Sequence, residues 1–208
     1  MDIHDFPIAF TAILPTGPEC LESADLPSNT PGDEKICFIP HHEIWDIGLI
    51  VASPDKLEVM DSFSAAIKID RPEIVHDLMT QTRGPFDTDK LNSQAEHPVN
   101  ALNNYFSRVK RDYVFSAFRV ELELQFLQIY SEVYGIRPLW WPHKIDVYSY
   151  ALGTFDILGR KLPSPDIFRI ATSLKILVPS APYRAINHAC LTYEIFKKLR
   201  SMKLKSPI

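Results

Sequence analysis

The stretch Phe10-Thr11-Ala12-Ile13-Leu14-Pro15-Thr16-Gly17 decides the fold that this sequence predicts. It overlaps the apolar segment Pro7–Ile13 (PIAFTAI), which is short and bounded by proline and glycine. A short apolar run with such boundaries is typical of a buried strand. We therefore predict a buried strand over residues 7–13, followed by a turn.

Two further strands are predicted downstream. The segment Ile44–Val51 (IWDIGLIV) is a second apolar run, and Leu57–Ile69 alternates apolar with other residues, which predicts a strand with one covered face. Between the first two strands, Leu14–Lys35 contains four prolines and two glycines, a composition that predicts a long loop. We assign residues 18–36 to this loop.

The rest of the chain alternates between helical and extended patterns. Apolar residues recur at helical spacing in four segments: Pro98–Val109, Glu121–Tyr134, Ser164–Leu177 and Arg184–Leu199. The third of these helices is predicted to begin with Ser164 as N-cap and Pro165 at its first position. Two short strands are predicted between the helices, over Tyr113–Phe118 and Ile145–Tyr148. A meander followed by βα units predicts an α/β fold, with a mixed sheet flanked by helices.

Composition places the chain among ordinary globular proteins. Its 208 residues suit one domain, taken as 1–208, with 46% hydrophobic residues, a net charge of −4 and a basic tail over 200–208. The three cysteines form no CxxC pair, so neither a zinc site nor a disulfide framework is predicted. Because the chain lacks an apolar run of roughly 20 residues and begins with an acidic segment, we predict no membrane association and a cytoplasmic location.

Several motifs resemble those of the DnaQ-like (DEDDh) 3′–5′ exonucleases, which have an RNase H-like fold. Residues 10–17 are similar to the family pattern F-x-D-x-E-T-T-G, residues 43–48 to its second strand, and residues 63–70 to its third. Residues 72–81, 135–147 and 183–189 resemble motifs of the exoribonuclease and phage exonuclease A-like branch. The resemblance covers about residues 6–200 and implies an RNase H-like fold, nucleic-acid substrates and, in many members, a homodimer.

The resemblance also implies which residues occupy the family's catalytic positions. Those enzymes hold two divalent cations roughly 4 Å apart with several carboxylates, and a histidine activates the attacking water. In this sequence the acid and base positions fall on Ala12, Leu14, Glu123, Tyr183 and His188, with Glu121 as the alternative to Glu123. Because at most one of the four acids survives, we predict no catalytic residue and no metal ligand, and we expect no cofactor.

Other residues are candidates for contacts with nucleic acid. Arg119, Lys144 and Arg184 lie in segments that border the expected cleft and could contact phosphates, while Trp141 could stack on bases. Asp5, Glu19 or Asp46 could replace a missing acid, but Glu19 lies past the turn and the side chains of the second strand, which carries Asp46, are not known to point at the site.

The leading hypothesis is a catalytically inactive exonuclease-like protein that binds single-stranded RNA or DNA, or a protein partner. The first alternative is an active exonuclease with rearranged ligands, which would require Mg²⁺ or Mn²⁺. The second is a protein-interaction or structural module that modulates a host or replication factor. Fold alone does not decide among these functions.

Overall fold

The computed structural model describes residues 5–15, 43–70, 88–137, 141–180 and 183–203. The predicted loop at 18–36, the motif at 72–81 and residues 204–208 of the basic tail lie outside these described residues. In none of the described segments does a helix combine the length and apolarity required to cross a bilayer.

A mixed five-stranded sheet forms the centre of the fold, as the sequence predicted. Its strands are β1 (Ile8–Pro15), β2 (Ile44–Ala52), β3 (Val59–Ala66), β4 (Val114–Ala117) and β5 (Lys144–Asp146), in the spatial order β3-β2-β1-β4-β5. The first three pair antiparallel, whereas β4 is parallel to both β1 and β5. Every residue of β1 and β2 is buried because these strands are interior and helices cover both faces.

Helices pack on both faces of the sheet and divide the core into two main layers. The helices are α1 (Thr88–Gln94), α2 (Pro98–Arg108), α3 (Val120–Val133), α4 (Val147–Ile157), α5 (Ile167–Ser173) and α6 (Ala185–Lys203). One layer joins α4, α5 and α6 to the sheet face that carries Phe10 and Ala12. The other joins α2 and α3 to the face that carries Ala9 and Ile13. The alternation of side chains along β1 produces this division.

The strand predicted over Ile145–Tyr148 is present as β5, but its predicted C-terminal half is wrong, because the chain turns into helix α4 at Val147. The Asp146 side chain is the cause: it accepts a hydrogen bond from the Ser149 backbone N–H at 2.6 Å and so caps the new helix. Its other oxygen accepts from the Val120 N–H at 2.9 Å, at the start of α3. One carboxylate therefore fixes the first turns of two helices.

Two predicted boundaries also need correction. The helix predicted over Ser164–Leu177 spans Ile167–Ser173, and its N-cap is Asp166, which accepts from the Arg169 N–H at 2.9 Å. Strand β1 continues through Leu14 to Pro15, beyond the predicted end at Ile13, because Leu14 is opposite Asp46 in the ladder with β2. This extension carries Leu14 to the edge of the sheet where the cleft lies.

Candidate functional site: a cleft at the carboxyl ends of the parallel strands

A cleft of about 320 Å³ opens at the carboxyl ends of β1 and β4. Because β1, β4 and β5 run parallel, their carboxyl ends meet at one edge of the sheet, the usual place for ligands in such sheets. The walls of the cleft come from β1, the start of α3, the start of α5 and the N-terminal half of α6. The lining residues are Ala12, Ile13, Leu14, Phe118, Arg119, Leu122, Glu123, Pro165, Asp166, Ile167, Phe168, His188 and Thr192.

The cleft brings together four of the five residues that the family's acid and base positions fall on. Ala12 and Leu14 form part of the wall, and they are 4% and 2% exposed. Glu123 and His188 face the same space from α3 and α6. Glu121, the alternative to Glu123, is exposed and pairs with Lys144 at 3.2 Å.

Tyr183, the residue at the family's general-base position, lies beside the cleft in an aromatic cluster. Its ring centroid is 4.5 Å from that of Phe168 and 6.2 Å from that of His188. Phe168 and His188 also meet edge-to-face at 5.1 Å. Packing of this kind is favourable for aromatic rings and fixes their orientation.

Leu14 is held by apolar packing on the side of the sheet that α6 covers. It forms a small cluster with Trp45, Ile69 and Ala185, all of them buried. Ala12 belongs to the larger layer that includes Phe10. Neither side chain has an atom that can ligate a cation, so the strand positions offer hydrocarbon where a hard cation requires oxygen.

The remaining donors do not complete a metal site. Across the described segments, no group of three or more His, Cys, Asp or Glu side chains is arranged to hold a metal ion. Glu123 acts on its surroundings in another way: its charge adds to the effect of burial in raising the pKa of the Tyr105 hydroxyl, which bonds Thr11 Oγ1 at 2.7 Å. The donor set of this cleft therefore does not fit a pair of Mg²⁺ or Mn²⁺ ions.

Asp166 is an acidic residue of the cleft that the sequence analysis did not select as a site residue. Its Oδ1 already accepts the Arg169 N–H, so it acts as the N-cap of α5 as well as lining the cleft. The signal was present in the run Ser164-Pro165-Asp166, which identified a helix start but assigned the cap to Ser164. Nothing in that run indicates that the helix start faces the cleft.

Asp46 and Arg184 form an ion pair next to the cleft. Arg184 donates from Nε to Oδ2 at 2.5 Å and from Nη2 to Oδ1 at 3.0 Å, and the Ala185 backbone N–H donates to Oδ2 at 2.9 Å. Asp46 is fully buried, whereas the Arg184 side chain is 43% exposed. Burial raises the pKa of Asp46, although the hydrogen bonds from Arg184 and Ala185 oppose that effect.

This ion pair gives Arg184 a structural partner, so a phosphate would have to compete with a buried carboxylate for its guanidinium. The Arg184 backbone is fixed as well, because its N–H donates to Asn187 Oδ1 at 2.9 Å at the start of α6. Asp46 shares the sheet face of Leu14, but its oxygens are occupied by Arg184 and Ala185.

The other nucleic-acid candidates occupy different environments. Arg119 is exposed and lines the cleft directly after β4. Lys144 is exposed on β5 and bonds Glu121. The prediction that Trp141 stacks on bases is wrong for this structure: its ring is 5% exposed and packs 4.8 Å from the Phe115 ring, and its Nε1 donates to the Lys110 carbonyl at 3.1 Å.

Gly48 determines how closely α6 approaches the sheet. A Cβ added there would lie 2.3 Å from the Ile186 nitrogen and 2.6 Å from the Ala185 carbonyl oxygen, distances that are sterically impossible. Gly48 is directly opposite Ala12 in the β1–β2 ladder. The glycine thus allows the first turn of α6, and with it His188, to reach the cleft.

The sheet order, the helices on both faces and the cleft at the strand ends define the RNase H-like fold of the 3′–5′ exonucleases. No protein-family model and no curated protein sequence matches the chain. Solved structures do match in fold. The nuclease domain of 3′hExo, a DEDDh family member, bound to rAMP is 13% identical with a TM-score of 0.66, covering 99% of this chain and 96% of that one.

Two other solved structures have the same fold. S. pombe Pop2p in its Mg²⁺- and Mn²⁺-bound form is 17% identical with a TM-score of 0.65, covering 99% of this chain and 87% of that one. E. coli exonuclease I in complex with a dT13 oligonucleotide is 11% identical with a TM-score of 0.69, covering 96% of this chain and 42% of that one. The fold that the sequence resemblance implied is therefore confirmed.

Proposed function

We propose that the protein binds single-stranded RNA or DNA in the cleft without hydrolysing it. One observation carries the proposal: the exonuclease fold places Ala12 and Leu14 at the end of β1, in the wall of the cleft. In the family these positions hold the acids that bind metal ions. In our proposal the cleft holds nucleic acid, while the strand whose positions bind metal ions in the family offers only hydrocarbon side chains here.

The absence of cutting follows from electrostatics. Two dications roughly 4 Å apart repel one another strongly, and several carboxylates must neutralise them. Among the described residues, Glu123 and Asp166 are the acids that line the cleft, and Asp166 is occupied as a helix cap. Two carboxylates, of which Asp166 already accepts a backbone N–H, are a poor substitute for the four acids of the family.

Binding is supported by the sides of the cleft. Arg119 supplies an exposed cation for a phosphate, and the aromatic rings of Phe118 and Phe168 supply apolar surface against which a base could pack. Among similar folds, 3′hExo is bound to rAMP and exonuclease I to an oligonucleotide. Because Arg119 is the one arginine or lysine among the described lining residues, we expect weak binding that depends on salt.

The binding test is fluorescence anisotropy with labelled single-stranded RNA and DNA at low and moderate salt. Arg119→Glu should weaken binding by roughly tenfold, since it reverses a charge that contacts phosphate. Arg111→Glu is the matched control, because Arg111 is exposed just before β4 whereas Arg119 follows the same strand at its other end. Equal loss in both variants would contradict binding in the cleft.

The cleavage test uses the same oligonucleotides, labelled at the 5′ end, with Mg²⁺ or Mn²⁺ added. We expect no shortening from the 3′ end. Shortening that disappears in Glu123→Gln would instead support the active alternative with rearranged ligands. Glu123 is the residue to change because it is the acid at a family position that lies in the cleft.

The second candidate function is binding of a protein partner. A structure of exonuclease I in complex with SSB-Ct is among the similar folds, so this fold is compatible with such a role. Absence of oligonucleotide binding at either salt concentration would favour it. A homodimer and a cytoplasmic location are expectations from the sequence; light scattering on purified protein tests the first and imaging of the tagged protein in cells tests the second.

A further inference from the structure

A second groove lies away from the cleft, between the segment after α5 and the C-terminal half of α6. It encloses about 540 Å³ and is lined by residues 174–177 and by Glu194, Lys197, Lys198 and Ser201. The four α6 residues recur at positions i, i+3, i+4 and i+7, so they form one stripe of the helix. We call this feature the lysine groove.

Leu177 forms an exposed apolar edge of the lysine groove. Its side chain is 92% exposed, the highest value for a large apolar residue in the described part of the chain. Exposed apolar side chains cost solvation free energy unless a partner covers them, and a leucine is large enough to anchor one.

A hydrogen-bonded turn holds Leu177 in this position. The Ile176 N–H donates to the Ala171 carbonyl at 2.9 Å, and Lys175 adopts a left-handed conformation with φ of 59°, as in a helix C-terminal cap. The turn directs Ile176 toward the core and leaves Leu177 outside. The apolar edge is therefore pre-organised, which lowers the entropic cost of binding.

The charge of the lysine groove is opposite to that of the whole chain. Lys175, Lys197 and Lys198 against Glu194 give a local charge of +2, whereas the chain carries −4. Lys197 is fixed in place, since its Nζ donates to Tyr193 Oη at 2.8 Å and lies 5.1 Å from that ring's centre. Tyr193 in turn donates to the Leu57 carbonyl.

We propose that the lysine groove docks a segment of a partner protein in which acidic residues flank one apolar side chain. The lysines complement the acids, and Leu177 packs against the apolar side chain. No aromatic ring among the described lining residues of the groove offers a stacking surface for the bases of a single-stranded nucleic acid. A lone apolar residue is also too little to insert into a membrane. These features favour a protein over nucleic acid or lipid.

The test uses ¹⁵N-labelled full-length protein and a synthetic heptapeptide with one leucine between three aspartates on either side. Amide shifts should be confined to residues 174–178 and 194–201. A peptide in which alanine replaces the leucine should bind roughly tenfold more weakly, because it cannot bury an apolar side chain against Leu177.

Two variants separate the contribution of apolar contact to peptide binding from that of charge, and each has a control variant at an exposed position elsewhere on the protein. Leu177→Asp and Lys198→Glu should each weaken the peptide roughly tenfold, by removing apolar contact and by reversing charge respectively. Ile157→Asp and Lys110→Glu change an exposed apolar residue and an exposed lysine elsewhere, and should leave peptide binding unchanged. All four positions are exposed, so folding should be retained, as circular dichroism would verify.

Several outcomes would overturn the proposal. The first is that about 1 mM peptide, a concentration at which even a weakly binding segment is bound, causes no amide shift changes in the groove residues. The second is that Leu177→Asp binds the peptide as tightly as the wild type does. A third is that single-stranded RNA or phosphatidylserine vesicles, rather than the peptide, perturb the groove residues. Because the lysine groove and the cleft share no lining residue, oligonucleotide binding to the cleft is scored separately.

Discussion

Asp46 on β2 and Arg184 just before α6 are joined by two hydrogen bonds across 138 positions of sequence. The carboxylate is fully buried and the guanidinium is 43% exposed. The two partners therefore differ in how they respond to loss of the other. If its partner is removed, the half-exposed Arg184 guanidinium can be solvated by water, but the buried Asp46 carboxylate cannot.

The first prediction follows from this asymmetry. Arg184→Gln should lower the free energy of unfolding by about 3 kcal/mol, because it leaves Asp46 charged and buried. Asp46→Asn should cost about 1 kcal/mol, since asparagine can still accept the Ala185 N–H. In the double variant the loss should be close to that of Asp46→Asn alone. Chemical denaturation of the wild type, the two single variants and the double variant measures the coupling free energy between Asp46 and Arg184. Strictly additive losses of unfolding free energy would contradict the predicted coupling.

The second prediction concerns pH. Burial raises the pKa of Asp46 above its ordinary value of 3.8, so the folded protein holds that proton more tightly than the unfolded chain does. The contribution of Asp46 to stability is therefore largest at acid pH and falls as the pH rises from 3.8 through the folded pKa. Without Arg184 the pKa of Asp46 rises further, because the backbone hydrogen bond from Ala185 then opposes the effect of burial without help from the guanidinium. The Arg184→Gln defect should thus shrink as the solution is acidified, which denaturation at a series of pH values would measure; a defect independent of pH would refute this account.

The third prediction tests the contact of α6 with the sheet. Gly48→Ala should destabilise the protein by roughly 3 kcal/mol or more, because the added methyl group collides with the backbone at Ala185 and Ile186. Gly153→Ala is the matched control: it lies within α4 and a Cβ there meets nothing within 4 Å. That control should be neutral or stabilising by about 0.5–1 kcal/mol, since alanine is the better helix former. Thermal unfolding of both variants measures the difference, and equal effects would contradict it.

The fourth prediction reintroduces acids into the cleft wall. Ala12→Asp with Leu14→Glu and His188→Asp should destabilise the metal-free protein, because carboxylates replace buried or half-buried groups near one another. Millimolar Mn²⁺ should then raise its Tm, as a ligand that binds only the folded state does.

The control for that experiment is the neutral set Ala12→Asn, Leu14→Gln and His188→Asn. These side chains have similar size but little affinity for hard cations, so Mn²⁺ should leave their Tm unchanged. The wild-type Tm should be equally insensitive. If Mn²⁺ raises the Tm of wild type and Glu123→Gln removes the effect, the proposed inactivity is wrong.

The strands and most of the helices could be predicted because their signals are local. Continuous apolar runs identified β1 and β2, and helical spacing identified α2, α3 and α6. Helix α4 was missed because Asp146 resembles the end of a strand, and its capping role depends on a hydrogen bond to Ser149. The α5 cap was misplaced for the same reason: Ser164 and Asp166 are both good caps, and backbone geometry decides between them.

The sequence by itself determined which residue types stand at the end of β1, and hydrocarbon side chains at Ala12 and Leu14 cannot bind a cation in any conformation. It also determined the RNase H-like order of strands and helices, since the spacing of apolar residues that predicts each element is a local property of the sequence. Only the tertiary structure decided that Trp141 is buried against Phe115, that Arg184 pairs with Asp46, and that Glu123 and His188 face one cleft. The physical reason is that burial and pairing depend on which distant segments meet, whereas the chemistry of a side chain does not.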